Sequence, residues 1–176
     1  NWISSGGIPA WLKDQLPSAQ FLEGKKAAVL VMSDRAARGE YADESGACLK
    51  ELLADAGAEI AAYEVVPDHK DNIAQAIVDI CKSSQPDVLL ASGGTGPGPR
   101  DVTPEVLASI SDRMLDGLGD ILRTESLHYT DTAWLSRMTA GMVGATLVIA
   151  LPGSPKAVRE CWEVLSPFLS DALEKI

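Results

Sequence analysis

Four short apolar runs, alternating with stretches of helical periodicity, constrain the fold of this chain more than any other feature. They are Ala27-Ala28-Val29-Leu30-Val31-Met32, a run from Glu59 to Val66, Asp87-Val88-Leu89-Leu90-Ala91, and Thr146 to Leu151. Largely apolar runs of this length suit strands buried on both faces, the condition of a parallel sheet. Between the first two, Leu49, Leu52, Leu53 and Ala56 recur at helical spacing before Gly57 supplies a stop. Ile73, Ala76, Ile77, Ile80 and Cys81 repeat the pattern before the third run. Val106, Leu107 and Ile110 begin another helix, and residues 116–143 read as further helix with breaks. Ser154 and Pro155 look like the cap and first-turn proline of a closing helix that Pro167 interrupts and kinks. The alternation predicts an α/β fold, a parallel sheet with helices on both faces.

At 176 residues the chain is most simply one folded domain, covering 25–176, with residues 1–24 as an N-terminal extension or linker. Within that extension Ser4-Ser5-Gly6-Gly7 is linker-like, and Ile8-Pro9-Ala10-Trp11-Leu12 suits a short docking helix. A remnant linker from a preceding domain in a larger fusion is the alternative reading.

One connection carries more chemistry than the rest. After the third apolar run comes Gly93-Gly94-Thr95-Gly96-Pro97-Gly98-Pro99-Arg100-Asp101-Val102-Thr103-Pro104-Glu105. A glycine-rich turn from strand to helix lets backbone N–H groups approach an anion, with the helix N-terminus adding favourable potential. The pattern is neither G-x-x-x-x-G-K-[ST] nor G-x-G-x-x-G. Thr103, Pro104 and Glu105 look like an N-cap, a first-turn proline and a first-turn acid, so the loop is shaped rather than slack. Asp101 either takes part in chemistry or braces the loop by accepting backbone N–H bonds.

In open parallel sheets ligands sit beyond the carboxyl ends of the strands. Those ends carry Ser33-Asp34-Arg35, Pro67-Asp68, the glycine loop with Arg100 and Asp101, and Pro152-Gly153-Ser154-Pro155-Lys156. Asp68 also suits a turn or cap, Ser154 a cap, and Lys156 a solvated surface. Two carboxylates beside a phosphate site would repel it, and a shared Mg²⁺ reconciles them. His69 and His128 lack a partner in sequence that would make either catalytic, and no Cys/His spacing supports zinc.

A net charge of −10 disfavours nucleic acid and anionic membrane as partners. No apolar run approaches the length of a membrane span. The widely spaced Cys48, Cys81 and Cys161, each on an expected helix face, fit small buried hydrophobes and a reducing cytoplasm.

Taken in order, these clusters resemble the molybdenum cofactor biosynthesis family typified by molybdopterin adenylyltransferases. The matching stretches are Ser33-Asp34-Arg35 with Ser45-Gly46, Val65-Val66-Pro67-Asp68, the glycine loop through Glu105, Glu125-Ser126-Leu127, Leu135-Ser136-Arg137 and Leu151-Pro152-Gly153-Ser154-Pro155-Lys156. The resemblance covers about residues 25–176. It implies a three-layer α/β/α fold with a mostly parallel sheet, assembly as a homotrimer, and contact with other proteins of the same biosynthesis. It also implies transfer of AMP from ATP to molybdopterin, releasing pyrophosphate and requiring Mg²⁺.

Carried over position by position, Asp68 and Asp101 are the implied catalytic pair and the expected Mg²⁺ ligands. Ser33, Gly93, Gly94, Thr95, Gly96, Arg100 and Thr103 are implied on the nucleotide, with Arg100, Arg137 and Lys156 as cations against phosphates. Ser126, Ser136, Arg137, Pro152, Gly153, Ser154 and Lys156 are implied on molybdopterin. A non-catalytic molybdopterin-binding or carrier module of the same fold is the alternative. Two positions depart from the family pattern: Ala150, where asparagine is usual, and Thr130-Asp131, where Thr-Pro is common.

Overall fold

The computed structural model of the chain describes Pro17 and residues 20–40 and 42–176. The linker and docking helix expected within residues 1–16 lie outside the described residues, as does Tyr41. From its N-terminal side the described chain runs β1 (Lys26–Met32), α1 (Asp34–Ala37), α2 (Glu44–Asp55), β2 (Glu59–Val66), α3 (Lys70–Ser83) and β3 (Val88–Ser92). It continues through α4 (Thr103–Ile110), β4 (Arg113–Met114), α5 (Asp116–Ser126), a 3-10 turn (Ala133–Leu135), β5 (Thr139–Val143), β6 (Thr146–Leu151) and α6 (Pro155–Lys175).

The strands form one sheet in the order β2-β1-β3-β6-β5-β4. β1 pairs in parallel with both β2 and β3, and β3 with β6. The four expected strands are therefore the parallel part of the sheet. Each of the three central ones is buried on both faces, and the side chains divide by the two-residue period of a strand. Val29, Val31, Val88, Leu90, Leu147 and Ile149 face a core with Leu49 and Leu53 of α2, Leu122 of α5 and Val158, Leu165 and Leu169 of α6. Leu30, Met32, Leu89, Ala91, Val148 and Ala150 face a second core with Ile73, Ile77 and Ile80 of α3 and Leu107 of α4. These are the two cores of a three-layer α/β/α domain. Phe21 and Leu22 also pack on the first core, Leu22 wholly buried and Phe21 with its ring centroid 6.0 Å from that of Trp162.

Two expectations are corrected here. Residues 116–143 are not helix with breaks throughout: α5 ends at Ser126, and Thr139–Val143 is β5, antiparallel to β6. A two-residue turn joins the pair, with Gly144 at φ +60 and Val143 opposite Thr146. Glycine accepts that backbone angle without a Cβ penalty. Pro167, in turn, does not interrupt the closing helix, which is continuous from Pro155 to Lys175. A proline inside a helix forfeits one backbone hydrogen bond. Here Val164, Leu165, Leu169 and Leu173 are buried on either side of it, and that burial outweighs the loss.

The order of strands fixes where a ligand can sit. From β1 the chain passes to β2 on one side, then returns through α3 to β3 on the other. The ends of β1 and β3 thus diverge into loops running in opposite directions, which opens a crevice above them.

Candidate active site

That crevice is a cleft of about 480 Å³ at the carboxyl ends of β1, β3 and β6. Met32 ends β1 in its floor, Gly93 to Pro97 form one wall, and Pro152, Gly153 and Ser154 form another. Asp68 and Asp101 open onto the same space, so residues 33 positions apart in sequence meet at one site. Ser126, Thr130, Thr132, Leu135, Ser136, Met138, Ala157, Glu160 and Cys161 complete the lining, with Ser136 Oγ 3.5 Å from Thr95 Oγ1.

The glycine loop is built rather than slack. Gly93 takes φ +118 and Gly94 φ +62, angles that L side chains rarely adopt. A Cβ at Gly93 would lie 2.5 Å from the Met32 carbonyl oxygen. The Gly93 N–H donates to Leu151 O at 3.0 Å, joining the loop to the end of β6. Ser92 Oγ donates to Pro152 O at 2.9 Å, and an added Cβ at Gly153 would sit 3.4 Å from Gly93 Cα. The loops after β3 and β6 are therefore packed backbone on backbone.

Thr103 is not the N-cap of α4. Val102 holds that position, without a side-chain cap bond, and Thr103 is the first helical residue. Its buried hydroxyl instead donates back to Gly93 O at 2.9 Å, while its N–H donates to Gly94 O at 3.1 Å. The local sequence favours a threonine cap, but the buried Gly93 carbonyl needs a donor and takes the hydroxyl.

Asp101 braces the loop from inside: its carboxylate accepts from Gly98 N–H at 2.9 Å. An added Cβ at Gly96 or Gly98 would fall 2.7 or 2.8 Å from Asp101 Oδ2, so glycines are needed there for space. Arg137 braces it from outside. Its Nε donates to Gly96 O at 3.0 Å, another guanidinium nitrogen donates to Asp101 O at 2.6 Å, and the third pairs with Glu105. That pairing holds the Glu105 carboxyl below the ordinary range. The Arg137 N–H also donates to Thr95 O at 2.7 Å.

Asp68 and Asp34 face each other across the ends of β2 and β1. Asp68 N–H donates to Asp34 Oδ1 at 3.0 Å, and Asp34 N–H donates to Asp68 Oδ2 at 3.3 Å. Burial is the main reason the Asp68 carboxyl is pushed above its usual range. The Asp34 N–H works against the shift, the Asp34 charge adds to it, Arg100 opposes it and Asp101 adds to it. Arg100 reaches Asp34 at 3.4 Å while remaining mostly in solvent.

Several expected residues stand back from the cleft. Ser33 caps α1 by accepting from Ala36 N–H at 3.2 Å, and its own N–H donates to Val66 O at 2.9 Å. Ser154, by contrast, does line the cleft, and it also caps α6, accepting from Ala157 N–H at 3.2 Å. Lys156 points largely to solvent, 3.7 Å from Glu160. Arg137 lines an adjoining depression with Lys70, Pro97, Gly98, Asp101 and Glu105. His128 is absent from the cleft lining and lies 3.4 Å from Glu125. Ala150 is buried in the second core, away from the cleft. Ala157, Glu160 and Cys161 were not anticipated as site residues. Their spacing of three and four after the Ser154 cap places them on one face of the first turns of α6, and that was the signal available.

No group of three His, Cys, Asp or Glu side chains among the described residues is placed to hold a metal ion by itself. Asp68 and Asp101 on one cleft suit a cation that takes its remaining oxygens from a phosphate and water, the usual habit of Mg²⁺.

Comparison with known proteins shows the family and the fold. A family model described as a probable molybdopterin binding domain matches residues 28–171. A molybdopterin adenylyltransferase of Helicobacter pylori is 40% identical over 150 residues, covering 84% of this chain and 85% of that protein. The crystal structure of the molybdopterin biosynthesis enzyme MoaB from Thermus thermophilus superposes with a TM-score of 0.80 at 40% identity, over 86% of this chain and 95% of that one. The molybdopterin biosynthesis Mog protein of Mycobacterium ulcerans gives 0.80 at 36% identity, over 86% and 99%.

Proposed function

The chain belongs to the molybdopterin-binding domain family of molybdenum cofactor biosynthesis, and we propose on that premise that it is a molybdopterin adenylyltransferase. The observation that carries the reading is one cleft in which the glycine loop meets both Asp68 and Asp101. A phosphate cradle alone would bind; a cradle flanked by two carboxylates is equipped to manage charge between two anions.

In the proposed reaction the terminal phosphate oxygen of molybdopterin attacks the α-phosphorus of ATP. The new O–P bond forms as the bond from the α-phosphorus to the bridging oxygen breaks, and pyrophosphate leaves with that electron pair. A phosphate monoester has its second pKa near 6, so at neutral pH the nucleophile is already ionised and needs no general base. The work left to the protein is to bring two polyanions into line and hold them there. Gly93, Gly94, Thr95 and Gly96 shape the nucleotide wall, and Arg137 and Thr103 hold that wall rigid. Ser126, Ser136 and the Pro152-Gly153-Ser154 turn, on the same cleft, are assigned to molybdopterin.

Asp68 and Asp101 would hold Mg²⁺, which when bound neutralises phosphate charge. Arg100 and Lys156, both exposed, are the cations proposed for the phosphates. The assembly proposed with this activity is a homotrimer, to be tested by its mass in light scattering. The three free cysteines fit a reducing, cytoplasmic setting.

Incubation with molybdopterin, ATP and Mg²⁺, followed by chromatography, tests the proposal. Adenylyl-molybdopterin should accumulate. Tight binding of molybdopterin with no adenylate would replace the enzyme with a binding module, in which Asp101 serves the loop alone.

A further inference from the structure

The inner end of the cleft carries polar groups that the phosphate chemistry does not use. Ser126 is 6% exposed and lines the cleft, and among the described residues the weakly polar Cys161 thiol is all that its Oγ has beside it. Glu160, one turn into α6, lines the same end with its side chain 15% exposed. Cys161 lies beside them, but its thiol is turned to Met138 Sδ at 3.5 Å. Burial pushes that thiol up to about 12, with Ser126 opposing and the Glu160 charge adding, so it stays neutral. Ala133, Leu135, Met138 and Ala157 supply apolar surface around this end.

Glu160 has a cation beside it but, among the described residues, no hydrogen bond from an N–H or O–H donor, so its oxygens keep acceptor sites that a ligand can fill. That cation is the exposed Lys156, whose Nζ pairs with Glu160 at 3.7 Å, beyond hydrogen-bond distance. The donor array that fits a carboxylate best is two parallel N–H groups. The edge of a 2-amino-4-oxopyrimidine ring presents a ring N–H beside an exocyclic amino group, which is that array. Adenine instead presents an amino group beside an unprotonated ring nitrogen, whose lone pair would face the carboxylate.

We propose, resting on the adenylyltransferase reading, that Glu160 and Ser126 form the subsite for the amino-oxopyrimidine edge of the pterin. Glu160 accepts from the ring N–H and amino group, and the Ser126 hydroxyl satisfies a further heteroatom of the ring. Glu160 thereby sets which substrate enters which end: the pterin goes against α6, and ATP is left to the glycine loop.

The test uses the full chain and two probes, neopterin monophosphate and the lumazine analogue in which the 2-amino group is an oxygen. Affinities are read by ligand fluorescence, alongside the affinity for ATP. The wild type should prefer the pterin by about tenfold or more, the size of effect seen when a site's buried polar group loses its partner. Glu160→Gln should weaken the pterin and reduce that preference to within about twofold, while ATP affinity and melting temperature stay near wild type. Ser126→Ala should weaken both pteridines without changing the preference. A wild type that does not discriminate, a Glu160→Gln variant that still does, or an equal loss of ATP affinity would overturn the assignment. Discrimination that depends on Glu160 in a protein that forms no adenylate would leave the subsite standing and remove the adenylyltransferase reading.

Discussion

Asp34, the first residue of α1, and Asp68, on the loop after β2, exchange backbone-to-carboxylate hydrogen bonds of 3.3 and 3.0 Å. The exchange locks the ends of β1 and β2 together and holds two acidic groups close enough to repel. With Asp101 on the same cleft, the site concentrates negative charge where phosphates are to bind. Such an arrangement is unfavourable in the free protein and becomes favourable when a cation arrives with the nucleotide.

The raised Asp68 carboxyl makes stability depend on pH in a defined direction. Its folded pKa lies above its unfolded value near 3.9, so ionising it costs stability. That cost is absent below the unfolded pKa, builds as pH rises through the interval, and is fully present above the folded pKa. Asp68→Asn should therefore melt at a higher temperature than wild type at neutral pH, with the gain vanishing below about pH 4. Thermal melts across that range check it, and a difference independent of pH would contradict it.

Asp34→Asn separates charge from geometry. It keeps the N–H that donates to Asp68 but removes the charge that helps raise the Asp68 carboxyl. The acid limb of the pH–rate profile should move to lower pH without reaching that of a solvated aspartate, because burial remains the larger cause. An unmoved limb would mean that another group governs it.

Gly93→Ala should damage the fold as well as the site. It combines φ +118 with a contact of 2.5 Å to Met32 O, a backbone atom that cannot swing away. A loss of about 2 kcal/mol or more is expected from strain of this kind. Urea unfolding measures it, and a loss below about 0.5 kcal/mol would show that the loop relaxes freely.

Arg137→Lys should fail as a conservative replacement. A single ammonium cannot serve Gly96 O, Asp101 O and Glu105 together as the guanidinium fork does. Hydrogen exchange in residues 93–103 should speed up, and kcat should fall by about tenfold or more with the loop's loss of order. Wild-type exchange with lysine in place would assign Arg137 to ligand contact alone.

Thr103→Val tests the hydroxyl's tie to the loop. Losing the bond to the buried Gly93 carbonyl should cost about 1–2 kcal/mol, while the start of α4 is unchanged because Val102 is its cap. Circular dichroism and urea unfolding read the two separately; a shortened α4 would restore threonine as the cap.

Much of this architecture was legible because strong local signals agreed with the final environment. Leu30 and Leu89, in continuous apolar runs, could be satisfied only by a two-faced sheet, and β1, β2, β3 and β6 followed. The glycine loop was legible because its unusual backbone demands an unusual composition. β5 was missed because Thr139-Ala140-Gly141-Met142-Val143 has little strand propensity of its own; pairing with β6 and packing under α5 make it a strand. The turn glycine at 144 was the overlooked sign. Thr103 carried a cap's identity but a tertiary hydrogen bond claimed its hydroxyl. Glu160 was hidden because a glutamate one turn into a surface helix looks solvated until the cleft closes over it.

Label transfer from ATP tests the proposed chemistry most directly. With molybdopterin, Mg²⁺ and ATP labelled at the α-phosphate, wild type should place the label on the pterin, while label at the γ-phosphate should appear in pyrophosphate. Asp101→Asn should retain most of its pterin affinity and lose transfer of the α-label. Label released instead as ADP and phosphate, or α-label transfer undiminished in Asp101→Asn, would contradict attack at the α-phosphorus in a site organised by Asp101.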